Sequence, residues 1–457
     1  MLLLRRGVLG GAGKRRTAAR FNSWSNTVPK GCCGPLCPAL GLLERLFASD
    51  NVTLALQLGK TLKSDADAMP RLPAFLCTLC TALAAALAPS VLVVGGTGRI
   101  GTAVAIHLLQ RRPELRVVLA GRSAERGRAA VDEVAREASA CEFVELNYKD
   151  AAAMRAACDG MDAVVHVAGP FVGQNKLEPL KASIESETPV YVDVSDPLEY
   201  IDEAQRLDAR KTSALLCAGA FPGFSNVLAV EAAHVLGEPV KDLNFSYFTA
   251  GLGGSGAVNL DITNYGFGPP VPRVVDGQLT QTEAYAGSDF GTIEYDGLNA
   301  ECWAWPFPEA ATTGEFLKIT GSSRAGMGTA PAIWNTVLRL MVDVVPRAWW
   351  SSKRFSEGLA RFSEPLVRVT DAFVGESHAM RVDVSSATSA ATVAAVQRHD
   401  SFRRCVGQSC AEFVLDALDQ ATPGVALPEE RYADAASRER ILARLSSTPG
   451  TTGYRVG

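Results

Sequence analysis

The feature that most constrains the fold is a short apolar run that leads directly into closely spaced glycines. Residues 91–94 form a continuous branched and aliphatic run, which is typical of a strand buried on both faces. Gly96, Gly98 and Gly101 follow, and residues 102–110 continue as an amphipathic helix. A G-x-G-x-x-G spacing alone is a weak signal. A strand before it and a helix after it provide the context in which it binds the pyrophosphate of a dinucleotide.

The glycine turn supplies most of the predicted cofactor contacts. Glycines allow a tight turn and a close approach of the backbone to phosphate, and the N–H groups at the start of the helix attract an anion. A glycine-rich turn without a ligand is the alternative. The contacts predicted in this turn are Gly95, Gly96, Thr97, Gly98, Arg99, Ile100 and Gly101.

The end of the second predicted strand indicates which dinucleotide to expect. Residues 116–120 form this strand, and an acidic residue after it would bind the ribose 2′-hydroxyl of NAD. The sequence has Gly121, Arg122 and Ser123 there instead, with Arg126 one turn later. A guanidinium pairs with a phosphate, whereas a carboxylate would repel it. The sequence therefore predicts NADP, with Arg122 and Ser123 at the 2′-phosphate.

Strands and helices continue to alternate after this point. Further strands are predicted over residues 142–146, 163–167, 190–194 and 214–218, and helices over 151–158, 177–187 and 200–211. Such alternation with short loops indicates an α/β fold with a Rossmann-type, doubly wound parallel sheet. Ligands bind at the carboxyl ends of these strands. Further cofactor contacts are predicted at those ends. They are the loop 219–226 and the residues Asn147, Ala168, Gly169, Pro170 and Asp193.

Charges are distributed unevenly along the 457-residue chain. It contains 45 Lys and Arg against 49 Asp and Glu, but residues 1–43 hold seven basic residues and no acid. From Glu44 onward the net charge is therefore −11. An acidic body argues against nucleic-acid binding, which needs a basic face. A basic, acid-free start is typical of a plastid or mitochondrial targeting peptide, and a disordered tail is the alternative.

An uncharged segment separates this leader from the first strand. Residues 72–90 contain no charged side chain. Because about 20 apolar residues cross a bilayer, three interpretations stay open: a membrane anchor, a presequence helix and a packed helix. Cysteines are scattered along the chain, and Cys77 and Cys80 have no second ligand pair nearby, so no metal site is predicted.

Further motifs occur through most of the chain. Together with the glycine turn they occupy residues 94–101, 121–122, 166–171, 191–193, 218–226, 245–251, 328–331 and 375–383. This set resembles the saccharopine dehydrogenase-like family, and specifically its plastid-type members of plants and algae. The resemblance implies an NADP-binding Rossmann domain followed by a second α+β domain with a mainly antiparallel sheet. It also implies a plastid (chloroplast) location, with the mitochondrion as the alternative.

The predicted organisation has five segments. They are a targeting region (1–70), an apolar segment (71–90), the NADP-binding Rossmann domain (91–226), an α+β substrate and dimerisation domain (227–400), and a C-terminal helix that returns to the Rossmann domain, with a tail (401–457). Within the second half, residues 379–384 and 390–396 are predicted to be antiparallel neighbours, and residues 410–418 a helix.

No group of residues identifies a general acid. Short-chain dehydrogenases use a Tyr with a Lys four residues later, and none of the nine tyrosines here has one. The weak catalytic candidates are His166, Tyr191, Asp193 and Tyr247. Each has a structural alternative, such as a core histidine, a packed strand tyrosine or a carboxylate that binds backbone N–H groups. The predicted chemistry is hydride exchange between nicotinamide and a small carbonyl, imine or amino-acid-like compound.

Two functions stay open at this point. One is an NADP-dependent oxidoreductase with a small-molecule substrate, and the other is a non-catalytic NADP(H)-binding organellar protein associated with a membrane or a complex. An aromatic–basic cluster suits a membrane interface, with a tryptophan-packed surface turn as the alternative. The cluster consists of Arg347, Trp349, Trp350, Lys353 and Arg354. Peripheral membrane association and a homodimer are hypotheses for the partners, and no nucleic acid is expected.

Overall fold

The computed structural model describes residues 88–169, 171, 177–251, 257–284, 290–295 and 297–457, and Pro89–Gly457 form one compact unit. The predicted leader, Cys77 and Cys80, nearly all of the apolar segment and Pro170 lie outside the described residues. None of the helices in the described ranges is long and apolar enough to cross a membrane.

The described residues form sixteen strands and fourteen helices. The strands are β1 (Ser90–Val94), β2 (Arg116–Gly121), β3 (Glu142–Glu145), β4 (Ala163–His166), β5 (Val190–Asp193), β6 (Ser213–Leu215), β7 (Val240–Ala250), β8 (Val271–Val275), β9 (Gln278–Thr282), β10 (Phe290–Tyr295), β11 (Leu298–Ala304), β12 (Ser323–Ala330), β13 (Ser377–Ser386), β14 (Thr392–His399), β15 (Gly424–Ala426) and β16 (Thr451–Val456). The helices are α1 (Arg99–Arg111), α2 (Ala124–Glu137), α3 (Ala151–Cys158), α4 (Glu178–Glu185), α5 (Leu198–Gln205), α6 (Phe224–Leu236), α7 (Ala257–Gly266), α8 (Glu309–Phe316), α9 (Ile333–Val344), α10 (Arg347–Trp350), α11 (Lys353–Val374), α12 (Phe402–Asp419), α13 (Pro428–Arg431) and α14 (Ala435–Ser446).

The first sheet has seven strands in the order β15-β6-β5-β4-β1-β2-β3, and all its pairs are parallel. Val93 in β1 lies opposite Leu119 of β2 and Val165 of β4. The strand order therefore reverses at β1. Loops diverge at such a reversal and leave a crevice at the carboxyl ends of the strands.

The central strand β1 is buried on both faces, which explains its unbroken apolar sequence. Val91 and Val93 belong to one buried cluster, and Leu92 and Val94 belong to another. Since successive side chains of a strand point to opposite faces, each cluster receives every second residue. Helices cover both faces of such a sheet, and a polar residue at any of these positions would be buried.

The second sheet has nine strands and is mainly antiparallel. Its main path is β10-β11-β12-β7-β13-β14-β16, and β8 joins it by pairing with β12 and β9. The pair β7–β12 is parallel, and the other pairs are antiparallel. Val382 of β13 lies opposite Ala395 of β14, which confirms the predicted antiparallel neighbours. The two sheets confirm the predicted fold class.

The sixth strand is shorter than the predicted 214–218, because it ends at Leu215. Cys217 has a φ of 55°, in the left-handed region that interrupts an extended strand. Its backbone N–H donates to a side chain, Asp193 Oδ1, rather than to a strand (3.1 Å). The buried Asp193 carboxylate thus takes the place of the strand partner that the predicted strand 214–218 would have had at Cys217.

The C-terminal segment contributes to both sheets. β15 extends the first sheet beside β6, and β16 extends the second beside β14. Helix α12 crosses α1 closely, because a Cβ built on Gly407 would lie only 2.6 Å from the Cβ of Ala103. Further along the same two helices, His107 Nε2 lies 2.7 Å from Glu412 Oε1, and both side chains are buried. The last part of the chain therefore holds the helix that begins at the glycine turn.

Candidate functional site: the dinucleotide crevice

The glycine turn connects the carboxyl end of β1 to α1. The Gly96 N–H donates to Val93 O (3.0 Å), and the Gly98 N–H donates to Gly95 O (2.9 Å). Gly95 has a φ of 86°, and a Cβ built on Gly101 would lie 2.4 Å from Gly95 O. Glycine at these two positions lets the first turn of α1 pack directly on the loop.

The start of α1 is suited to an anion. Gly98 is the N-cap residue, and no side chain caps the helix. The first N–H groups of α1 are thus free of a capping side chain and can bind phosphate oxygens. Thr97 and Ile100 are half-buried beside them, and Arg99 is exposed. Partial burial of the Arg99 guanidinium lowers its pKa, and the neighbouring Arg403 of α12 lowers it further. Two positive side chains from distant parts of the sequence therefore lie near this helix end.

Strand β2 ends beside the glycine turn. A Cβ built on Gly121 would lie 2.7 Å from the side chain of Thr97, so the two predicted cofactor-binding loops are in contact. Arg122 follows and is exposed. Ser123 caps α2 by accepting a hydrogen bond from the Arg126 N–H (3.3 Å). The structure therefore brings Thr97 and residues 121–123 together and leaves Arg122 at the surface, where a phosphate can reach it.

The predicted contacts after β3 and β4 lie at the carboxyl edge of the same sheet. Asn147 is exposed, and its Oδ1 accepts from the Lys149 N–H (3.3 Å). A Cβ built on Gly95 would lie 2.7 Å from the N and Cα of Ala168, so the loop after β4 touches the glycine turn. Gly169 is exposed next to it. Gly95 and Ala168 thus mark the crevice between β1 and β4.

Asp193, at the end of β5, is fully buried, and its carboxylate is bound within the protein. Its Oδ1 accepts from Ser195 N–H (3.0 Å), Ser195 Oγ (2.6 Å) and Cys217 N–H (3.1 Å). Its Oδ2 accepts from the hydroxyls of Tyr191 (3.1 Å) and Tyr200 (2.7 Å). Burial raises the pKa of Asp193, and most of these hydrogen bonds oppose that rise. Asp193 therefore joins the chain ends after β5 and β6 and presents no surface to a cofactor or a substrate.

His166 and Tyr191 extend this buried network. His166 Nδ1 lies 3.3 Å from Tyr191 OH. The His166 ring packs against Tyr148 (centroids 5.4 Å apart) and Phe171 (4.8 Å). Burial raises the pKa of Tyr191 well above its ordinary value, so its hydroxyl stays protonated. His166 and Tyr191 have no exposed surface, so both side chains are part of the packed interior of the first sheet.

Tyr247, the candidate on the second sheet, donates its hydroxyl to Glu309, which no sequence motif had indicated. Ser225 Oγ also reaches Glu309 Oε1 (3.5 Å). Burial raises the pKa of Glu309 to about 8, so this carboxyl group holds a proton at neutral pH. Asn226 Nδ2 donates to a second buried glutamate, Glu429 (2.8 Å). A signal for Glu309 was available, because it is the only charged residue in the apolar stretch 302–314.

The loop 219–226 contributes an aromatic cluster beside this pair. Phe221 stacks on Tyr247 (centroids 4.2 Å, interplanar angle 9°) and on Phe402 of α12 (5.1 Å). His378 of β13 lies 5.1 Å from Phe221, and its Nδ1 is 3.1 Å from the carbonyl oxygen of Phe248. Burial lowers the pKa of His378 to about 3, so it is neutral at physiological pH. Residues from the first sheet, the second sheet and the C-terminal helix thus meet at Phe221.

Exposure separates the predicted cofactor contacts into two groups. Those with exposed or half-buried positions at the carboxyl edge of the first sheet are Gly95, Thr97, Gly98, Arg99, Ile100, Arg122, Ser123, Asn147, Ala168 and Gly169. Gly96, Gly101 and Asp193 are buried and shape the turn or the strand ends. Within the described ranges, no group of three or more His, Cys, Asp or Glu side chains is placed to hold a metal ion. The exposed group lies at or just after the carboxyl ends of β1, β2, β3 and β4.

A parallel sheet with this turn at its reversal point defines a dinucleotide-binding protein. Residues 91–215 match the family model of the saccharopine dehydrogenase NADP binding domain. This part of the chain is an NADP-binding domain of that family, and its cofactor is NADP. The match confirms the predicted cofactor and, for this domain, the predicted family resemblance. No curated protein sequence matches the chain.

One solved structure extends the likeness of the fold to both sheets. Apo saccharopine dehydrogenase (L-Glu forming) from Saccharomyces cerevisiae superposes with a TM-score of 0.57 at 12% identity, over 81% of this chain and 99% of that one. Pen from Bacillus thuringiensis covers 23% of this chain and 38% of its own, with 22% identity and a TM-score of 0.21. The RhlG/NADP complex from Pseudomonas aeruginosa covers 23% and 53%, with 20% identity and a TM-score of 0.20. The yeast enzyme therefore shares the overall architecture.

Proposed function

We propose that this protein is an NADP-dependent oxidoreductase that transfers a hydride to or from a small carbonyl, imine or amino-acid-like substrate. The observation that carries the proposal is the exposed Arg122 at the end of β2, next to a glycine turn built for pyrophosphate. A guanidinium at that corner selects the 2′-phosphate that distinguishes NADP from NAD. Enzymes with a dissociable NADP use it as a hydride carrier.

The position of the crevice supports a reaction at its far end. With pyrophosphate at the start of α1, the nicotinamide would extend toward the ends of β4 and β5. The loop 219–226 follows β6 on that side, and Phe221 packs against Tyr247 of the second sheet. A substrate bound there would contact residues from each sheet. These contacts would position its reacting carbon against the reacting carbon of the nicotinamide. The buried Tyr247–Glu309 pair would hold the residues from the second sheet in place.

The cofactor part of the proposal is tested with Arg122→Asp. The variant should lose roughly 10–100-fold in NADPH affinity, since a charge-assisted pair contributes about 1.5–3 kcal/mol. NADH affinity should change by no more than about threefold, because NADH lacks the 2′-phosphate. Fluorescence titration of both nucleotides measures the difference. Arg136→Asp near the end of α2, an exposed site, is the matched control and should bind like the wild type. Equal losses for NADPH and NADH would contradict the assignment of Arg122.

Turnover itself needs a direct measurement of hydride transfer. NADPH deuterated at C4 should deliver deuterium to a product carbon when the enzyme is incubated with 2-oxo acids and amines, as mass spectrometry would show. Tight NADPH binding without any transfer to these compounds would favour the second function, a non-catalytic NADP(H)-binding organellar protein. We also propose that residues 1–70 target the protein to a plastid or, alternatively, to a mitochondrion, since their first 43 residues contain seven basic side chains and no acid.

A further inference from the structure

Two helices of the second half expose rows of large apolar side chains. On α11, Phe362, Leu366, Val369 and Phe373 are 58–86% exposed. On α9, the exposed residues are Ile333, Leu340 and Val344. Single exposed apolar residues are ordinary on a protein surface, but contiguous rows mark an interaction site. We call these seven side chains the apolar face.

The spacing on α11 aligns its row along one side of the helix. Phe362, Leu366, Val369 and Phe373 follow one another at intervals of four, three and four residues. Such intervals keep side chains within a narrow stripe. On α9, Leu340 and Val344 are separated by four residues, and Ile333 lies seven before Leu340. Each helix therefore presents one stripe.

The two helices are fixed next to each other and to the body of the protein. Trp334 Nε1 of α9 donates to Thr370 Oγ1 of α11 (3.2 Å). On another side of α11, Ser356 Oγ donates to Asp261 Oδ1 of α7 (2.6 Å), and Asn264 Nδ2 donates to the Ser356 carbonyl (3.1 Å). Ser356 is fully buried. One side of α11 is therefore packed against the protein, and the exposed apolar stripe lies on a different side that faces outward.

Charges on α11 are sorted around the stripe. Arg354, Arg361 and Arg368 recur every seven residues and form one row, as do Glu357 and Glu364. At about 100° per residue, the arginine row lies roughly 110° from the apolar stripe and the glutamate row roughly 160° from it. The exposed guanidinium groups of Arg354 and Arg361 can reach the plane of the stripe on their long stems. Arg368 instead pairs with Glu364 (2.7 Å). Basic side chains beside an apolar stripe are typical of a helix that lies in the interface of a membrane.

The surrounding charge and aromatic residues agree with this orientation. Residues 333–374 contain six basic and four acidic residues, a net charge of +2, although the chain from Glu44 onward carries −11. Trp349, in α10 between the two helices, is 57% exposed, whereas its neighbour Trp350 is fully buried. Exposed tryptophan beside basic residues is typical of the headgroup level. The sequence cluster at 347–354 thus divides into a packed tryptophan and an outward one.

We propose that the apolar face binds the surface of a membrane that contains anionic lipid, with α9 and α11 lying in the plane of the interface. A second copy of the chain is less suited to this face. In a helix dimer that pairs through apolar residues at intervals of four, three and four, charged residues on both flanks of the row select the partner helix. On α11 these flanking positions hold Gly358, Ser363, Pro365 and Thr370, which carry no charge. Arg354 and Arg361 therefore lack the paired arrangement of a helix dimer and match lipid phosphates.

The test is vesicle flotation of the full-length protein with phosphatidylcholine vesicles, alone or mixed with an equal part of phosphatidylserine. The wild type should float with the mixed vesicles and detach as salt rises. Phe362→Glu with Phe373→Glu should lower the partition coefficient at least tenfold. Arg354→Glu with Arg361→Glu should lower it on the mixed vesicles only. The matched control is Val235→Glu with Leu279→Glu, two exposed apolar residues outside the apolar face, and should float like the wild type.

Retained NADPH affinity in every variant shows that the fold is intact. The proposal is overturned if the phenylalanine variant floats as well as the wild type, because another segment such as residues 72–90 then makes the contact. It is also overturned if the wild type stays unbound on both kinds of vesicle. A wild-type dimer in light scattering that the phenylalanine variant converts to a monomer would assign the face to a second copy instead.

Discussion

Two buried carboxyl groups show how strongly the surroundings determine the state of a residue. Asp193 receives hydrogen bonds from three hydroxyls and two backbone N–H groups. Glu309 receives one from Tyr247 and a longer one from Ser225, and burial raises its pKa to about 8. Hydrogen bonds that are donated to a carboxylate favour its charged form, whereas burial favours the neutral form. Burial raises the pKa of both groups, and Asp193 has more hydrogen bonds that oppose this rise.

The proton on Glu309 should make stability depend on pH. Its pKa in the folded protein, about 8, lies above its ordinary value of 4.5, so the unfolded chain releases this proton first as pH rises. The stabilisation that comes from this proton is complete below about pH 4.5 and is lost by about pH 8, and it amounts to roughly 5 kcal/mol. Glu309→Gln cannot lose a proton. Its free energy of unfolding should therefore fall less than that of the wild type between pH 5 and 8, as urea titrations would show.

The exposed Glu114 supplies the control for this measurement. Glu114→Gln should keep the pH dependence of the wild type. If Glu309→Gln and the wild type lose stability in parallel over this range, Glu309 is already ionised in the folded protein, and the assignment of its proton is wrong.

At the scale of elements, the contact between α12 and α1 connects the end of the chain to the cofactor site. Gly407 allows the two helices to touch at Ala103, and the buried His107–Glu412 pair joins them one turn further along. Helix α1 begins at the N-cap Gly98 and therefore carries the phosphate-binding turn. A shift of α12 is expected to move the N–H groups that bind pyrophosphate, since packed helices transmit displacement.

Gly407→Val tests this coupling. Its added Cβ would lie 2.6 Å from the Ala103 side chain, so the helices must separate. Overpacking of this kind costs about 1–3 kcal/mol of stability. NADPH affinity should fall with it. Gly358→Val in α11 is the matched control, because a Cβ there meets no atom within 4 Å, and it should change stability by less than about 0.5 kcal/mol. Denaturant unfolding and NADPH titration measure both effects; identical stabilities would argue against close packing at Gly407.

At the scale of the whole molecule, charge separates the chain into parts with different partners. The first 43 residues are basic, the rest of the chain carries −11, and the segment 333–374 is locally positive. Within the acidic body, Arg122 remains exposed at the carboxyl edge of the first sheet. Net charge alone would suggest a protein that repels phosphates. Local positive groups determine where phosphate binds, because screening by ions limits electrostatic attraction to about 8–10 Å at physiological salt.

The basic leader predicts a location that a fusion protein can test. Residues 1–60 joined to a fluorescent protein should enter plastids or mitochondria of plant or algal cells, because an acid-free basic segment is the signal for import. The same fusion with glutamine at Arg5, Arg6, Lys14, Arg15, Arg16 and Arg20 is the control and should stay in the cytosol. Cytosolic fluorescence of the unaltered fusion would contradict the proposed targeting.

Much of the nucleotide-binding half could be predicted from sequence because its signals are local. Residues 91–101 define a strand, a turn and a helix within one short segment, and Arg122 follows the next strand. The hairpin of β13 and β14 was predicted for the same reason, since its strands are neighbours along the chain. Glu309 was missed because its hydrogen-bond donors, Tyr247 and Ser225, lie 62 and 84 residues away along the chain.

The local sequence is sufficient to specify a parallel α/β domain, the glycine turn and a preference for NADP. These follow from residue types at fixed short spacings, which restrict the backbone and the local charge whatever the remaining chain does. Only the tertiary structure decided that Asp193 is enclosed by five donors, that Glu309 keeps a proton, and that the apolar face of α9 and α11 points outward. Burial depends on contacts between distant segments, and an amphipathic spacing specifies a stripe without specifying what covers it.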